Sequence, residues 1–287
     1  MKNMSSLLEE IHLKSSLSRR FSTVASFSGS HGIKLVPNYR RAVHIMKLVL
    51  IYFLTLVCVS AQVPRDCKQA IVGVTSGWNS SHVTLHIYQK NGSTWQLVGA
   101  PWKGRLGKNG LAWGYGLHPS TSSSSPIKKE GDKRAPAGIF KIGGAYGYAQ
   151  QIKKTPYLKY HKITTKDLWV EDTNSPHYNK HLVIPHTPKT SWEKKAQMRQ
   201  GDYAHALKLY IAHNDAIMGG KPIPGRGSAI FFHIWRGGGS KSTAGCTTMD
   251  KAKLSQMISL IDPNKKPVYI LLPQSEYVQL RSSWKLP

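Results

Sequence analysis

The sequence predicts a mainly β fold, a β-sandwich or set of mixed sheets with a few short helices at its periphery. Short segments that alternate apolar and polar residues recur along most of the chain, and turn residues separate them. Helical periodicity is scarce: only residues 190–200 and 251–261 show it.

The N-terminal region stands apart from that fold. Lys47 precedes an uninterrupted apolar run from Leu48 to Val59, and Ser60 and Ala61 follow. A basic residue, an apolar run of this length and a small-residue exit form a secretory signal, with cleavage expected after Ala61. The run is shorter than the roughly 20 residues of a comfortable membrane span. A longer stretch, Ala42 to Ala61, would reach across if the Lys47 amine extended to the interface. Residues 1–45 carry only Glu9 and Glu10 as acids amid Ser, Arg and Lys. They read either as an extension upstream of a start at Met46 or as an organellar targeting segment. The expected organisation is therefore 1–45 extension or targeting segment, 46–61 signal, 62–69 linker, 70–273 folded domain and 274–287 tail.

Lys and Arg number 40 against 14 Asp and Glu. Residues 1–61 hold eight of the basic and two of the acidic ones, so +20 of the +26 net charge belongs to the expected mature chain. Such an excess favours anionic partners or a merely solvated basic surface. No zinc-finger spacing and no aromatic-basic signature of an RNA-binding strand occurs, so nucleic acid is not an expected partner. Of the three cysteines, Cys58 lies in the apolar run, which leaves Cys67 and Cys246. A disulfide between them is one reading in an oxidising compartment. The polar surroundings of Cys67, just after the cleavage point, favour a mobile, unpaired position.

Along the mature chain, Ala70 to Thr75 and His82 to Tyr88 alternate as half-buried strands. Asn91-Gly92 makes the turn to a partner, Thr94 to Gly99. Gly104 to Gly116 reads as a glycine-rich packed loop, and Ser120 to Ser125 as a mobile polar run. Ala135 to Ile142, Leu168 to Glu171, Leu207 to Ile211, Ala229 to Ile234 and Val268 to Leu272 are the remaining strands. Thr190 or Ser191 caps the first helix. Asp250 caps the second, whose Leu254, Met257, Ile258 and Ile261 form one apolar face. Asn79 and Asn91 match glycosylation acceptors, relevant only in a eukaryotic secretory route.

Chemistry concentrates between Gly227 and Met249. A strand ending at His233 leads through Gly237-Gly238-Gly239 to the turn Thr243-Ala244-Gly245-Cys246, and the Asp250-capped helix follows. If the glycine loop folds back, the imidazole and thiol come within reach, the arrangement that generates a nucleophilic thiolate. A helix start near the cysteine favours the same charge. The amides of Gly245 and Cys246 then suit an oxyanion. Gly239 to Thr243 lacks the glycine and lysine spacing of a phosphate loop, which excludes a nucleotide site on that motif. His177 and His181 are four apart, but Pro176 argues against a helix face, and no His-Glu-x-x-His motif occurs. They read as surface or substrate-groove histidines, and no metal or other cofactor is expected.

The segment Gly227 to Met249 resembles the catalytic signature of the L,D-transpeptidases, the cysteine enzymes that cross-link peptidoglycan: a His, a loop, then Ser/Thr-x-Gly-Cys. Gly107 to Gly114, Lys133 to Phe140, Asp167 to Asp172, Ser175 to Asn179, Ser191 to Glu193 and Asn214 are similar to the divergent secreted branch. The resemblance spans roughly Ala70 to Pro273. It implies an L,D-transpeptidase-like catalytic domain with Cys246 as nucleophile and His233 as base. The Ile234 carbonyl would orient the imidazole, Thr243 would hold the turn, and the Gly245 amide would serve the oxyanion. Two positions depart from the pattern: Ala244 stands where His is common, and Thr247 replaces an Arg after the cysteine. Arg236 is the expected substitute on the substrate side, with Asn214 and Tyr178 also expected there. The implied partners are peptidoglycan stem peptides and anionic wall polymers, reached outside the cytoplasm, without a stable membrane span after signal cleavage. The sequence fixes no oligomeric state. Two alternatives remain at this level: hydrolysis at the same site, as an L,D-carboxypeptidase, and a non-catalytic basic wall-binding protein.

Overall fold

A computed structural model describes residues 62–119 and 125–287. The expected signal at 46–61, residues 1–45 and most of the polar run (residues 120–124) lie outside the described residues. Among the described residues, no helix is long and apolar enough to cross a membrane.

The fold is mainly β. The chain opens with β1 (Gln69–Thr75) and the hairpin β2 (His82–Asn91) and β3 (Thr94–Leu97), turned at Gly92 with φ +57°. Then come β4 (Trp102–Arg105), β5 (Leu111–Trp113), the long β6 (Ala135–Gly147) and β7 (Tyr160–Lys162). A separate antiparallel ribbon pairs β8 (Asp167–Trp169) with β9 (His181–Val183). The last strands are β10 (Leu207–Ala212), β11 (Phe231–Ile234), β12 (Thr247–Met249) and β13 (Val268–Pro273).

Eight strands form a closed ring in the order β1, β13, β6, β10, β11, β12, β4, β2, because β2 returns to pair with β1. Closure leaves those strands without a free edge in the ring. Inside lies one apolar core that includes Ile71, Leu85, Phe140, Leu209, Phe232 and Tyr269. The period-2 alternation of β10 and β11 sends Leu209, Ile211, Phe232 and Ile234 into that core. The same alternation turns Tyr210 and Phe231 outward, where they join Trp169 and Met198 in a second cluster.

Among the described residues, three short α-helices sit at the edge. Helix α1 (Ser191–Lys195) carries a capping box between Thr190 and Glu193. It stops well before Gln200, the predicted end, because the chain turns at Ala196 to bridge Gln197 to Leu168. In α2 (Lys251–Leu260) the Asp250 carboxylate accepts the Ala252 amide at 2.7 Å, and Leu254, Met257 and Ile258 are buried. Helix α3 is Gln274–Leu280.

The structure departs from the sequence reading at several places. The predicted loop Gly104 to Gly116 contains the end of β4 and all of β5. Gly104 belongs to a strand because β12 passes so close that a Cβ there would lie 2.8 Å from the Thr248 carbonyl oxygen. The predicted strand start at Ala229 fails because Ala229 has φ +54°, and β11 begins only at Phe231. Residues set apart as linker and tail are packed: Val63, Cys67, Trp284 and Leu286 join the main core, and the Val63 amide donates to the Trp284 carbonyl at 2.8 Å. Cys67 is therefore buried rather than loosely placed. Its thiol donates to the Gln69 carbonyl at 3.2 Å and is pushed up to about 11 by burial. Both Cys67 and Cys246 are free thiols.

Candidate active site

Strands β10, β11 and β12 lie side by side, and their register decides which side chains meet. Lys208 of β10 pairs with His233 of β11, which pairs with Thr248 of β12. One step along, Tyr210 pairs with Phe231. Because β11 and β12 run parallel with Phe232 opposite Thr247, Cys246 falls beside Phe231. Paired residues share a face, and so do residues two apart on a strand. Lys208, Phe231, His233 and Cys246 therefore all face outward from the ring. A parallel pair requires the chain to travel back the full strand length, which residues 235–246 do. The glycines permit that return, with Gly237, Gly238 and Gly239 all at positive φ. Gly245 sits at φ +153°, and a Cβ there would press on the Arg134 carbonyl at 3.1 Å and Ile230 at 3.2 Å.

The outward face forms the floor of a cavity of about 330 Å³ lined by Cys246, His233, Lys208, Arg236, Glu171 and Trp169, among others. Trp169 of the β8–β9 ribbon closes one wall, with ring centroids 4.4 Å from Tyr210 and 4.9 Å from Phe231.

Within it, the half-buried Cys246 sulfur receives the Phe231 amide at 3.4 Å, and its thiol points at the Ala229 carbonyl at 3.5 Å. The left-handed backbone of Ala229 is held by the Asn179 side chain, which accepts its amide at 3.1 Å. Burial raises the thiol above its ordinary range, although the Phe231 amide and the Lys208 charge pull the other way. His233 Nδ1 lies 2.9 Å from the Ile234 carbonyl oxygen. A carbonyl only accepts, so Nδ1 carries the hydrogen and Nε2 the lone pair. Burial, then the neighbouring His205, hold this imidazole down at about 3, so it is neutral near pH 7. The resting pair is thus a neutral thiol and a neutral base on one face, without a hydrogen bond joining them. Thr243 Oγ1 donates to the Cys246 carbonyl at 2.7 Å and accepts the Gly245 amide at 3.1 Å.

The remaining predicted residues divide. Arg236 reaches the cavity, but its guanidinium donates to Asp202 at 2.6 Å. Asn214 lies elsewhere. Its side chain is consumed by the Ile223 and Gly227 carbonyls and the Ile223 amide, and it lines a different depression. Tyr178 is also displaced from the expected contact. It is buried and donates to Glu130, which itself lines the cavity and also receives the Ser228 hydroxyl at 2.8 Å. The Gly245 amide, expected free for an oxyanion, is committed to Thr243.

Sequence reasoning missed Lys208. It is 4% exposed, its ammonium donates to the Met198 carbonyl at 3.1 Å, and burial lowers it to about 8. The signal was available: a lysine at an alternating position of an apolar strand is costly unless it has a task. His205 was missed too. Its ring stacks on His233 at 5.0 Å and 22°, and its Nδ1 bonds Asp202 at 2.6 Å. Asp202 feels burial, but hydrogen bonds from Arg236 and His205 outweigh it and hold the carboxyl at about 2. Glu171 is pushed up by burial, then by the charge of Glu130, against the pull of Lys195 and Lys208.

Comparison with known proteins gives one family match: the L,D-transpeptidase catalytic domain, over residues 78–270. No curated protein matches the sequence. Among solved structures, the chain is similar to the helical cell shape determining protein Pgp2 from Campylobacter jejuni. There the identity is 13%, the match covers 75% of this chain and 51% of that one, and the TM-score is 0.36. It is also similar to Bd1075 of Bdellovibrio bacteriovorus, at 11% identity, 79% and 58% coverage and a TM-score of 0.37. The chain spans little more than half the length of either.

Proposed function

The chain belongs to the L,D-transpeptidase catalytic-domain family, and from that premise we propose that it is a secreted cysteine acyltransferase acting on peptidoglycan stem peptides. The observation that carries the reading is the placement of His233 and Cys246 on one outward face, inside a single cavity, with the imidazole fixed in the tautomer of a base.

In this reading His233 Nε2 takes the proton from the Cys246 thiol as the sulfur attacks the carbonyl carbon of the third residue of a stem tetrapeptide. The carbonyl π electrons move to oxygen. The Cys246 amide is the donor assigned to that oxyanion, since the Gly245 amide serves Thr243. Collapse of the intermediate breaks the C–N bond to the terminal D-alanine, and the leaving amine takes the proton from His233. A thioester on Cys246 remains. An amine from a neighbouring stem then attacks it, giving up a proton to His233, and the thiol is restored with a new amide formed. Water in place of the amine gives the carboxypeptidase outcome. Lys208 supplies the positive charge that opposes the burial cost of a thiolate, and fills the electrostatic place of the Arg absent after Cys246.

Export follows the same reading, with the signal removed after Ala61 and the net +20 of the remainder suited to wall phosphates and carboxylates. The test is release of D-alanine from a disaccharide-tetrapeptide. Wild type releases it, Cys246→Ala releases none above background, and His233→Gln loses roughly 10²–10⁴-fold, the usual range for a general base. Release that survives Cys246→Ala ends the proposal, and so does a wild type that binds the fragment without turnover.

A further inference from the structure

About the β8–β9 ribbon, a second constellation lies outside the Cys246 cavity and takes no part in the proposed acyl transfer. His161 of β7, Asp167 of β8 and His181 of β9 converge, each offering one ligand atom, with those atoms within 4.8 Å of one another. Both imidazole Nε2 atoms aim at the same carboxylate oxygen, Asp167 Oδ1, at 2.5 and 2.7 Å. The second oxygen is held separately: Oδ2 accepts the Thr164 amide and the Thr164 hydroxyl, each at 2.7 Å. Among the described residues this is the one group of His, Cys, Asp and Glu arranged closely enough to hold a metal ion.

We propose that His161, Asp167 and His181 form a divalent transition-metal site, suited to Zn²⁺, that locks the β8–β9 ribbon to the barrel. Two imidazole nitrogens and one carboxylate oxygen are a common three-ligand set for zinc, with the fourth position left to water. The exposure matches that geometry: Asp167 is buried, whereas the His161 and His181 side chains are 43% and 21% exposed and border a surface groove. The supporting contacts are those expected around a metal ligand. Thr164 pins the oxygen that does not face the imidazoles. Tyr146 packs edge-on against His181 at 5.4 Å and near His161 at 6.1 Å, and Trp169 stacks on His181. The fold also gives the site a purpose. The ribbon has three residues per strand and its own ladder, too short to be stable alone, yet it carries Trp169 to the cavity wall. A metal binding β7, β8 and β9 at once would hold that wall in place.

The experiment uses the full chain without a histidine tag and in the Cys246→Ala background, which removes the other thiol–imidazole pair that could capture zinc. Its outcome is therefore independent of the acyl-transfer reading. Chelator-stripped protein is titrated with Zn²⁺ by calorimetry and with Co²⁺ by visible absorption. The expected result is one equivalent bound, cobalt bands of four-coordinate type, and a melting temperature that rises with zinc. His161→Ala, at the most exposed ligand, and His181→Ala are expected to abolish the bound equivalent. Thr164→Val is expected to weaken it about 10–100-fold, the range for an outer contact on a ligand. If His181→Ala does not fold, His161→Ala decides alone. Absence of saturable binding, or binding unchanged in His161→Ala, overturns the proposal and leaves a hydrogen-bonded His–Asp–His cluster.

Discussion

At Cys246 two opposing influences meet on one sulfur. Burial disfavours the thiolate, while the Phe231 amide and the Lys208 ammonium favour it. The thiol therefore rests protonated, unlike a preformed thiolate–imidazolium pair, and in the proposed reaction His233 would take its proton at the moment of attack. Alkylation by iodoacetamide is accordingly expected to keep accelerating as pH rises through and beyond the ordinary thiol range near 9. Lys208→Met removes the largest favourable charge. It should slow alkylation at pH 7, where the Lys208 ammonium is still mostly charged, and lower kcat for D-alanine release by roughly tenfold, the equivalent of about 1.4 kcal/mol from one charge pair in a partly dry site. Its melting temperature should hold or rise, because a buried lysine carries a desolvation cost that methionine lacks. A merely structural lysine would instead lower stability and leave the alkylation rate unchanged. In the sequence, Cys246, His233 and Thr243 stand out as candidates through their order around a glycine loop. Lys208 escaped because its pairing with His233 is a matter of strand register, with 24 residues of chain between them. Asn214 differs for the converse reason: a polar residue ending an apolar strand looks available until the loop it anchors is seen.

Elements differ in how much of them is local. Helix α2 was readable because its cap at Asp250 and its stripe of Leu254, Met257 and Ile258 lie within one short segment. Strand β12 was not, since three buried residues are too few to show an alternation. The metal-ligand candidates were equally hidden, being six and fourteen residues apart and united only by β7, β8 and β9 packing together. In β6 the controlling detail is a single glycine. Gly138 has φ +133°, and a Cβ there would sit 1.9 Å from the His118 ring. That ring in turn accepts the Ile139 amide at 3.1 Å and donates to the Gly114 carbonyl at 3.0 Å, tying β6 to the preceding loop. Gly138→Ala is expected to cost about 3 kcal/mol or more through backbone strain and overpacking. Urea denaturation checks this, and a loss under 1 kcal/mol would refute the assignment of His118 as the occupant of that space.

Over the whole molecule, the closed ring was the least legible feature, because β1 meets β13 across nearly the full domain. The alternation along each strand predicts a buried face but not which strand lies beside it. The fold that results holds several histidines in their neutral form. Burial keeps His118 and His205 at about 4, and His213 and His233 at about 3. In the unfolded chain each titrates near 6.5, so between that pH and the folded value the unfolded state binds more protons. Stability is then fully present above pH 6.5 and falls as pH drops toward 3–4, by up to about 1.4 kcal/mol per pH unit for each group. Thermal melts should show a steep decline in melting temperature between pH 6.5 and 4; a flat profile from pH 7 to 5 would contradict neutral burial. The proposed acyl transfer requires the sulfur of Cys246 to act as an acyl carrier. Intact-mass spectrometry of the reduced protein with a disaccharide-tetrapeptide tests that most directly. A single adduct with the mass of the fragment less D-alanine, mapped to Cys246 and reversed by an added amine, is the expected result. An unmodified protein, or an adduct on any other residue, would contradict it.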